Sequence, residues 1–501
     1  MKKKQVPNIG IALIVSFCFL TICSRSSFIY PFNNWDDSNS YFTMGKALMN
    51  GGILYRDVFD QKGPLLYFIY GLGYLLSNSG FGGIFFLEIL SFTLFLVAEY
   101  QVARLYLSQG LAMCTMPLMA LVVLTSKSFY WGGCAEEFCL PLFAWGLYFS
   151  VKYFKETYPL PMSSKLIFLN GFFAGCILLI KFNLLGLYFA FMAIIALSNL
   201  NRINWKKALI HCGIFLSGMV APIIPWLIYF GLHSALDDWY FAYIYCNVFL
   251  YSNLYFENRI SIGEKIYDLA KIMYWLILDN AIFFIPIILG FVCILFNKKF
   301  KWFEKINLYT LFGFLFLGIY VGGTTLYYYS LPLSVFSIFG FIIVGMGIET
   351  IIRRFDFQNL SQKYFVPGAF ILYIGMLILA WNLSMNTPYA AQSKEDFWLF
   401  KFRDIISQTE NATLLNIGCL DAGLYTAADI MPTCRYFQSN AVHGFEEVAN
   451  EQRRYIAEGQ TEFVLARESY PEEIWLNYHL VSEQDYMINE QLFTYYLFQR
   501  N

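Results

Sequence analysis

Charged residues are scarce in this chain of 501 residues, since Asp, Glu, Lys and Arg together make up 14% of it. Soluble domains carry about 25%, so the shortage excludes an ordinary cytosolic enzyme. The net charge of -1 gives no indication of a nucleic-acid-binding surface. Four histidines and eleven scattered cysteines indicate neither a His-rich metal site nor a disulfide framework. The sequence also lacks a Walker-type phosphate loop and a dinucleotide fingerprint.

Hydrophobic residues make up 58% of the chain and aromatic residues 20%, which is typical of a polytopic membrane protein. Long apolar runs predict about eleven transmembrane helices, the first of them an uncleaved span and not a signal peptide. The predicted spans are residues 9–30, 84–107, 110–127, 138–152, 166–181, 183–199, 208–230, 268–296, 306–322, 328–350 and 364–384.

One further apolar run, from Leu65 to Asn78, forms a helix of only ~21 Å, against the ~30 Å hydrocarbon core. If this helix lies on the membrane surface, 17 Lys and Arg residues lie in cytoplasmic loops and 9 in the opposite loops. If it crosses, the counts become 8 and 18. The positive-inside rule favours the surface helix.

This topology predicts a multi-pass protein of the cell (plasma) membrane with a cytoplasmic N-terminus. It places four segments on the extracytoplasmic side: the first outer loop (31–83), 128–137, 231–267 and everything after about Met385. Residues 1–384 form the transmembrane module, and residues 385–501, which are 21% charged, form a soluble domain. Strand-like segments at 413–418 and 462–466, with helical stretches near 420–430 and 445–458, predict a small α/β fold there.

Charged residues cluster in two of the predicted outer loops. The first outer loop opens with Asp36 and Asp37 and continues with the stretch Tyr55-Arg56-Asp57-Val58-Phe59-Asp60-Gln61-Lys62-Gly63-Pro64. The second carries Glu136 and Glu137 beside a helix N-terminus, where a carboxylate either stabilises the helix or orients a sugar or a divalent cation. Lys181 lies between two spans, where a lysine can act as a snorkelling anchor.

These motifs resemble the GT-C superfamily of integral-membrane glycosyltransferases, in the branch of the protein O-mannosyltransferases and the aminoarabinose transferase. The resemblance covers roughly residues 9–200, and the tyrosine-to-proline stretch is its most specific part. It implies a GT-C-like fold and an inverting enzyme that takes a sugar from a polyprenyl-phosphate carrier. The family's spacing of an Asp followed four residues later by a Tyr implies Asp37 as general base with Tyr41, and Asp36 as the alternative base.

The resemblance suggests Lys181 as a contact of the donor phosphate, and the charges of Arg56 and Lys62 allow both to pair with that phosphate at the membrane interface. Glu136 and Glu137 lie in an outer loop on the same predicted face as the acidic pair, where one of them can contact the sugar. Some relatives use a divalent cation, for which Asp37 and Glu136 would supply oxygen ligands; whether one is needed stays open. The partners are membrane lipid, the polyprenyl-phosphate sugar and a glycan, glycolipid or protein acceptor, with no nucleic acid. A lipid-linked oligosaccharide flippase and a polysaccharide polymerase remain the alternatives.

Overall fold

The computed structural model describes residues 9–200, 205–251, 261–355, 358–395, 397–439, 445–488 and 491–501. These described residues are mostly helical, as expected, and contain one small sheet near the C-terminus. The α-helices are α1 (Ile9–Cys23), α2 (Asp36–Met49), α3 (Pro64–Leu76), α4 (Gly82–Arg104), α5 (Gln109–Leu124), α6 (Ala135–Lys152), α7 (Ser164–Leu178), α8 (Gly186–Leu200), α9 (Trp205–Val220), α10 (Ile224–Leu232), α11 (Leu236–Trp239), α12 (Ile262–Asp279), α13 (Ala281–Phe296), α14 (Trp302–Tyr320), α15 (Ile338–Arg354), α16 (Gln358–Leu383), α17 (Trp398–Ile406), α18 (Leu424–Ala427) and α19 (Glu446–Ala457).

The chain divides into two compact units. The first unit comprises Met1–Ser24, Glu88–Ile224 and Ile260–Thr387, and the second comprises Arg25–Leu87, Pro225–Arg259 and Pro388–Asn501. One boundary lies close to the division predicted at 384/385. The second unit therefore contains most of three of the four segments that the predicted topology groups together (31–83, 231–267 and the residues after about 385), whereas the domain division predicted at 384/385 separates the first two of these from the third.

Each predicted span contains a helix, but the count of about eleven is not confirmed. Within the described residues, three helical stretches are long and apolar enough to cross a membrane, namely Gly82–Arg104, Tyr327–Arg354 and Tyr364–Leu383. The number rises to five if each of two bent helix pairs is one span. Several other apolar helices have only 15 or 16 residues.

The predicted span 268–296 is two helices, α12 and α13, that meet at an angle of 112°. Asn280 lies at the break, and its buried side-chain oxygen accepts hydrogen bonds from the backbone N–H and the hydroxyl of Ser128, at 2.9 and 2.8 Å. The apolar run continues through this position, so hydropathy alone does not reveal the turn.

In the second unit, the short apolar run predicted at 65–78 is α3, with 13 residues. Pro64 begins the helix, where a missing N–H costs nothing. Helix α3 packs against α2 so closely that a side chain on Gly45 would collide with the backbone of Gly71. The short length of α3 agrees with the expectation, and its position at the membrane surface stays a prediction.

The C-terminal residues form the expected small α/β fold around a four-stranded sheet of order β1-β2-β4-β3. Strands β1 (Leu414–Ile417) and β2 (Phe463–Arg467) are parallel, whereas β4 (Gln491–Arg500) runs antiparallel to both β2 and β3 (Tyr478–Ile488). The first two strands match the predicted segments, and the hairpin of β3 and β4 was not predicted. The stretch near 420–430 is helical only in α18.

Candidate active site

Helix α2 carries the acidic pair in its first turn, and the two carboxylates have different surroundings. Asp36 forms an ion pair with Arg467 at the end of β2, with Oδ2 2.9 Å from Nη1. Burial raises the pKa of Asp36 above its ordinary value, the guanidinium of Arg467 opposes this, and the charge of Asp37 adds to it. Asp36 is thus held by the C-terminal sheet.

Asp37 lies near a second carboxylate, that of Asp60 in the tyrosine-to-proline stretch. Burial raises the pKa of Asp60, and the charge of Asp37 raises it further. The charge of Lys62 lowers this pKa, as do the hydrogen bonds that Asp60 accepts from Tyr67 and from the Gln61 N–H. The Lys62 ammonium lies 6.0 Å from the centre of the Tyr41 ring. The structure therefore brings Asp37, Tyr41 and Lys62 into one neighbourhood, together with Asp60.

Two buried tyrosine hydroxyls fix the backbone of this stretch. Tyr67 of α3 donates a hydrogen bond to Asp60 Oδ2 at 2.7 Å and accepts one from the Lys62 N–H at 2.8 Å. Tyr55 donates to the Lys62 carbonyl at 2.8 Å. Asn247 donates to the Gln61 carbonyl at 2.7 Å. The motif thus holds the backbone of Lys62 from both sides.

Arg56 has an exposed position on the same stretch. Its guanidinium forms an ion pair with Asp57 at 3.2 Å and donates to the carbonyl of His233 at 2.9 Å. About 42% of its side chain is exposed, so this ion pair is of the weak, solvated kind. Its predicted contact with a phosphate stays a prediction.

A second set of polar contacts fixes the face of α2 that carries Asp36 to the C-terminal part of the chain. Thr43 donates to the buried carboxylate of Asp421, and Ser40 donates to Gln438. Lys46 is 1% exposed and forms an ion pair with Asp429. Burial raises the pKa of Asp421 to about 6 against the hydrogen bonds that it accepts.

In the first unit, Lys181 and Glu136 form a buried ion pair with 2.6 Å between Nζ and Oε1. The Lys181 ammonium also lies 3.6 Å from the centre of the Tyr329 ring, a cation–π geometry. Lys181 is 8% exposed, so it is not a snorkelling anchor at an interface. Its pairing with Glu136 joins two of the predicted site residues.

Glu137, its neighbour at the start of α6, has the local role expected of an acidic residue at a helix N-terminus. Its Oε2 accepts a hydrogen bond from the Gly133 N–H at 2.8 Å. The same carboxyl group is hydrogen-bonded to Glu88, whose two oxygens accept from the Ser24 hydroxyl at 3.0 Å. Glu137 thus fixes the loop and α6, and its contact with a substrate stays a prediction.

The donor set around Glu136 fits a divalent cation poorly. Its Oε1 already pairs with the Lys181 ammonium, which would repel a second cation. Its buried Oε2 has no hydrogen-bond partner, so one oxygen would be available. In the described ranges, no group of three or more His, Cys, Asp or Glu residues could hold a metal ion. No chemical step is therefore assigned to a metal.

Several residues of this arrangement were not predicted as site residues. Asp60 and Tyr67 carry a signal in the sequence, because both belong to or follow the tyrosine-to-proline stretch. Arg467 and Asp421 carry none, because they lie in the C-terminal domain, 431 and 378 positions from their partners on α2.

A scan against protein-family models and a search of curated protein sequences both found no match. Solved structures do match over almost the whole chain. The crystal structure of ArnT from Cupriavidus metallidurans bound to undecaprenyl phosphate aligns with a TM-score of 0.62 at 12% identity, covering 97% of each chain. The apo form of the same protein aligns with a TM-score of 0.58 at 12% identity, covering 97% of this chain and 96% of that one. The predicted GT-C resemblance is thus confirmed at the level of the fold.

Proposed function

We propose that this protein is a membrane glycosyltransferase that moves a sugar from a polyprenyl-phosphate donor to an acceptor on the extracytoplasmic face. The observation that carries the proposal is the end-to-end match with ArnT, a protein crystallised with undecaprenyl phosphate. The surroundings of Asp37 support it, because a carboxylate and a lysine lie in one neighbourhood, as base-assisted attack on a phosphorylated sugar requires.

In the proposed reaction, an acceptor hydroxyl attacks the anomeric carbon from the face opposite the phosphate, which inverts the configuration. The oxygen lone pair forms the new glycosidic bond as the bond from the anomeric carbon to the phosphate oxygen breaks. Asp37 takes the hydroxyl proton as general base. The electron pair of the broken bond leaves with polyprenyl phosphate, which departs as a dianion and needs no strong acid.

The base role is assigned to Asp37, which lies in one neighbourhood with Tyr41 and Lys62. Asp36 is engaged by Arg467 at 2.9 Å, and its carboxylate would have to leave that ion pair to approach a substrate. Asp37 lies one residue along the helix, about 100° around its axis. A positioned general base contributes about 10² to 10⁴ in rate.

The donor phosphate is assigned to Lys62, whose backbone is fixed by two tyrosine hydroxyls. A lysine held in this way stabilises the negative charge that develops on the leaving group. Arg56 is proposed as a further phosphate contact, and the phosphate contact expected of Lys181 stays a prediction. The acceptor is a glycan, glycolipid or protein.

Purified protein in vesicles, supplied with polyprenyl phosphate carrying a labelled sugar, tests the proposal. If the protein is a transferase, the label should reach an added acceptor, and polyprenyl phosphate should accumulate in the same amount as the transferred sugar. Movement of unmodified donor across the vesicle would instead identify a flippase, and stepwise growth of a lipid-linked glycan a polymerase. Either result contradicts the proposal, and protein-free vesicles are the control.

A further inference from the structure

The C-terminal α/β part holds α2 along one face. Asp36, Ser40, Thr43 and Lys46 recur at the spacing of a single helical stripe, and each contacts a residue between 421 and 467. The opposite face packs on α3 through Tyr41 and Gly45. Helix α2 is therefore held on two sides, which fixes its rotation about its own axis.

That rotation decides where Asp37 points. Adjacent residues of a helix point in directions about 100° apart around its axis. Because the ion pair with Arg467 holds Asp36 towards the sheet, the Asp37 side chain is directed away from the sheet. The ion pair is largely shielded, with 19% of the Arg467 side chain and 21% of the Asp36 side chain exposed. It is the contact of this stripe nearest to Asp37 along the chain.

The pair also sets the charge around Asp37. Besides Arg467, several titratable or charged groups surround the two carboxylates of α2: Asp60, Lys62, Tyr67, Cys419, Asp421 and Tyr495. Asp36 and Arg467 carry opposite charges at 2.9 Å, so their fields largely cancel at a distance. Loss of one partner leaves the other charge uncompensated beside Asp37.

We propose that Arg467 is a positioning residue for glycosyl transfer: from the C-terminal sheet it neutralises Asp36 and orients α2, so that Asp37 acts as the base. The proposal rests on the proposed function and adds to it that the C-terminal α/β part takes part in catalysis through this ion pair. Arg467 itself touches neither donor nor acceptor.

The pH dependence of kcat/KM for the full-length protein tests the charge cancellation. Asp36→Asn leaves the Arg467 cation uncompensated, so the Asp37 carboxylate should persist to lower pH. The acid limb should move down by about one pH unit, with a several-fold lower kcat because the base is weaker. The double variant Asp36→Asn/Arg467→Met removes both charges and should return the limb towards the wild-type position.

Arg403→Gln is the matched control, because it removes an ion pair of the same C-terminal part, with the exposed Asp404. It should leave the limb unchanged. An unshifted limb in Asp36→Asn would overturn the proposal, as would a double variant that keeps the full shift. Complete loss of turnover in Asp36→Asn, in a protein that still melts as the wild type does, would make Asp36 the base and also overturn it.

A second measurement needs no turnover. Water-soluble carbodiimide modifies protonated carboxyl groups, and fragment-ion mass spectrometry that separates Asp37 from Asp36 within their shared peptide gives the labelling of Asp37 against pH. The labelling midpoint should shift in Asp36→Asn and return in the double variant. This shift in a protein that transfers no sugar would support the charge cancellation and refute the proposed function. Sugar transfer without the shift would refute the positioning role alone.

Discussion

Tyr67→Phe removes one buried hydroxyl that makes two hydrogen bonds. Tyr67 is fully buried, and its hydroxyl donates to Asp60 at 2.7 Å and accepts from the Lys62 N–H at 2.8 Å. A hydrogen bond to a charged group contributes about 1.5–3 kcal/mol, and an unsatisfied buried N–H costs about 1–3 kcal/mol. Because the neighbouring groups relax in part, we expect a net destabilisation of this segment by about 3 kcal/mol. This corresponds to a factor of roughly 100 in the equilibrium constant for local opening.

Hydrogen exchange of the Lys62 amide, followed by mass spectrometry, measures this opening. We expect about 100-fold faster exchange for the amide in Tyr67→Phe, and a raised KM for the polyprenyl-phosphate donor because Lys62 is less well positioned. Tyr70→Phe is the matched control on the same helix, since its hydroxyl donates to the Ser38 hydroxyl at 3.2 Å. Wild-type exchange at Lys62 in the Tyr67 variant would refute the reasoning.

Three further predictions concern single groups. The pKa of Asp421 is about 6 in the folded chain, above its usual value near 4. The folded state therefore binds the proton more tightly than the unfolded state, so the contribution of Asp421 to the free energy of unfolding falls by ~3 kcal/mol as pH rises from about 4 to 6. Asp421→Asn should remove this slope from a melting-temperature series. Lys181→Met should destabilise the protein by about 3–5 kcal/mol by leaving Glu136 buried and unpaired, and Lys181→Met/Glu136→Leu should recover most of it in thermal unfolding. Arg56→Gln should change the free energy of unfolding by less than ~1 kcal/mol, because the ion pair of Arg56 with Asp57 is solvent-exposed. The same variant should raise the donor KM, because Arg56 is proposed to contact the donor phosphate.

Local patterns in the sequence predicted much of the fold. The helical class, the short helix after Pro64 and the first two strands of the C-terminal sheet follow from apolar run lengths and strand-like segments. The break at Asn280 did not follow, because a tertiary hydrogen bond to Ser128 places it inside a continuous apolar run.

The site was predictable only where its residues lie in one stretch of chain. Tyr41 and Lys62 are close in sequence to Asp37, so the loop motif indicated them. The partner of Asp36 lies 431 positions away on β2, and no local pattern reports a contact at that separation. The Glu136 and Lys181 pair falls between these cases: both residues were predicted, but not their direct contact.

Single-turnover transfer from labelled polyprenyl-phosphate sugar by wild type and Asp37→Asn tests the central claim most directly. The account predicts that the variant binds the donor normally and transfers the sugar about 10² to 10⁴ times more slowly, whereas the control Asp485→Asn, on an exposed part of β3, transfers it at the wild-type rate. An Asp37→Asn variant that transfers the sugar as fast as the wild type would contradict the account.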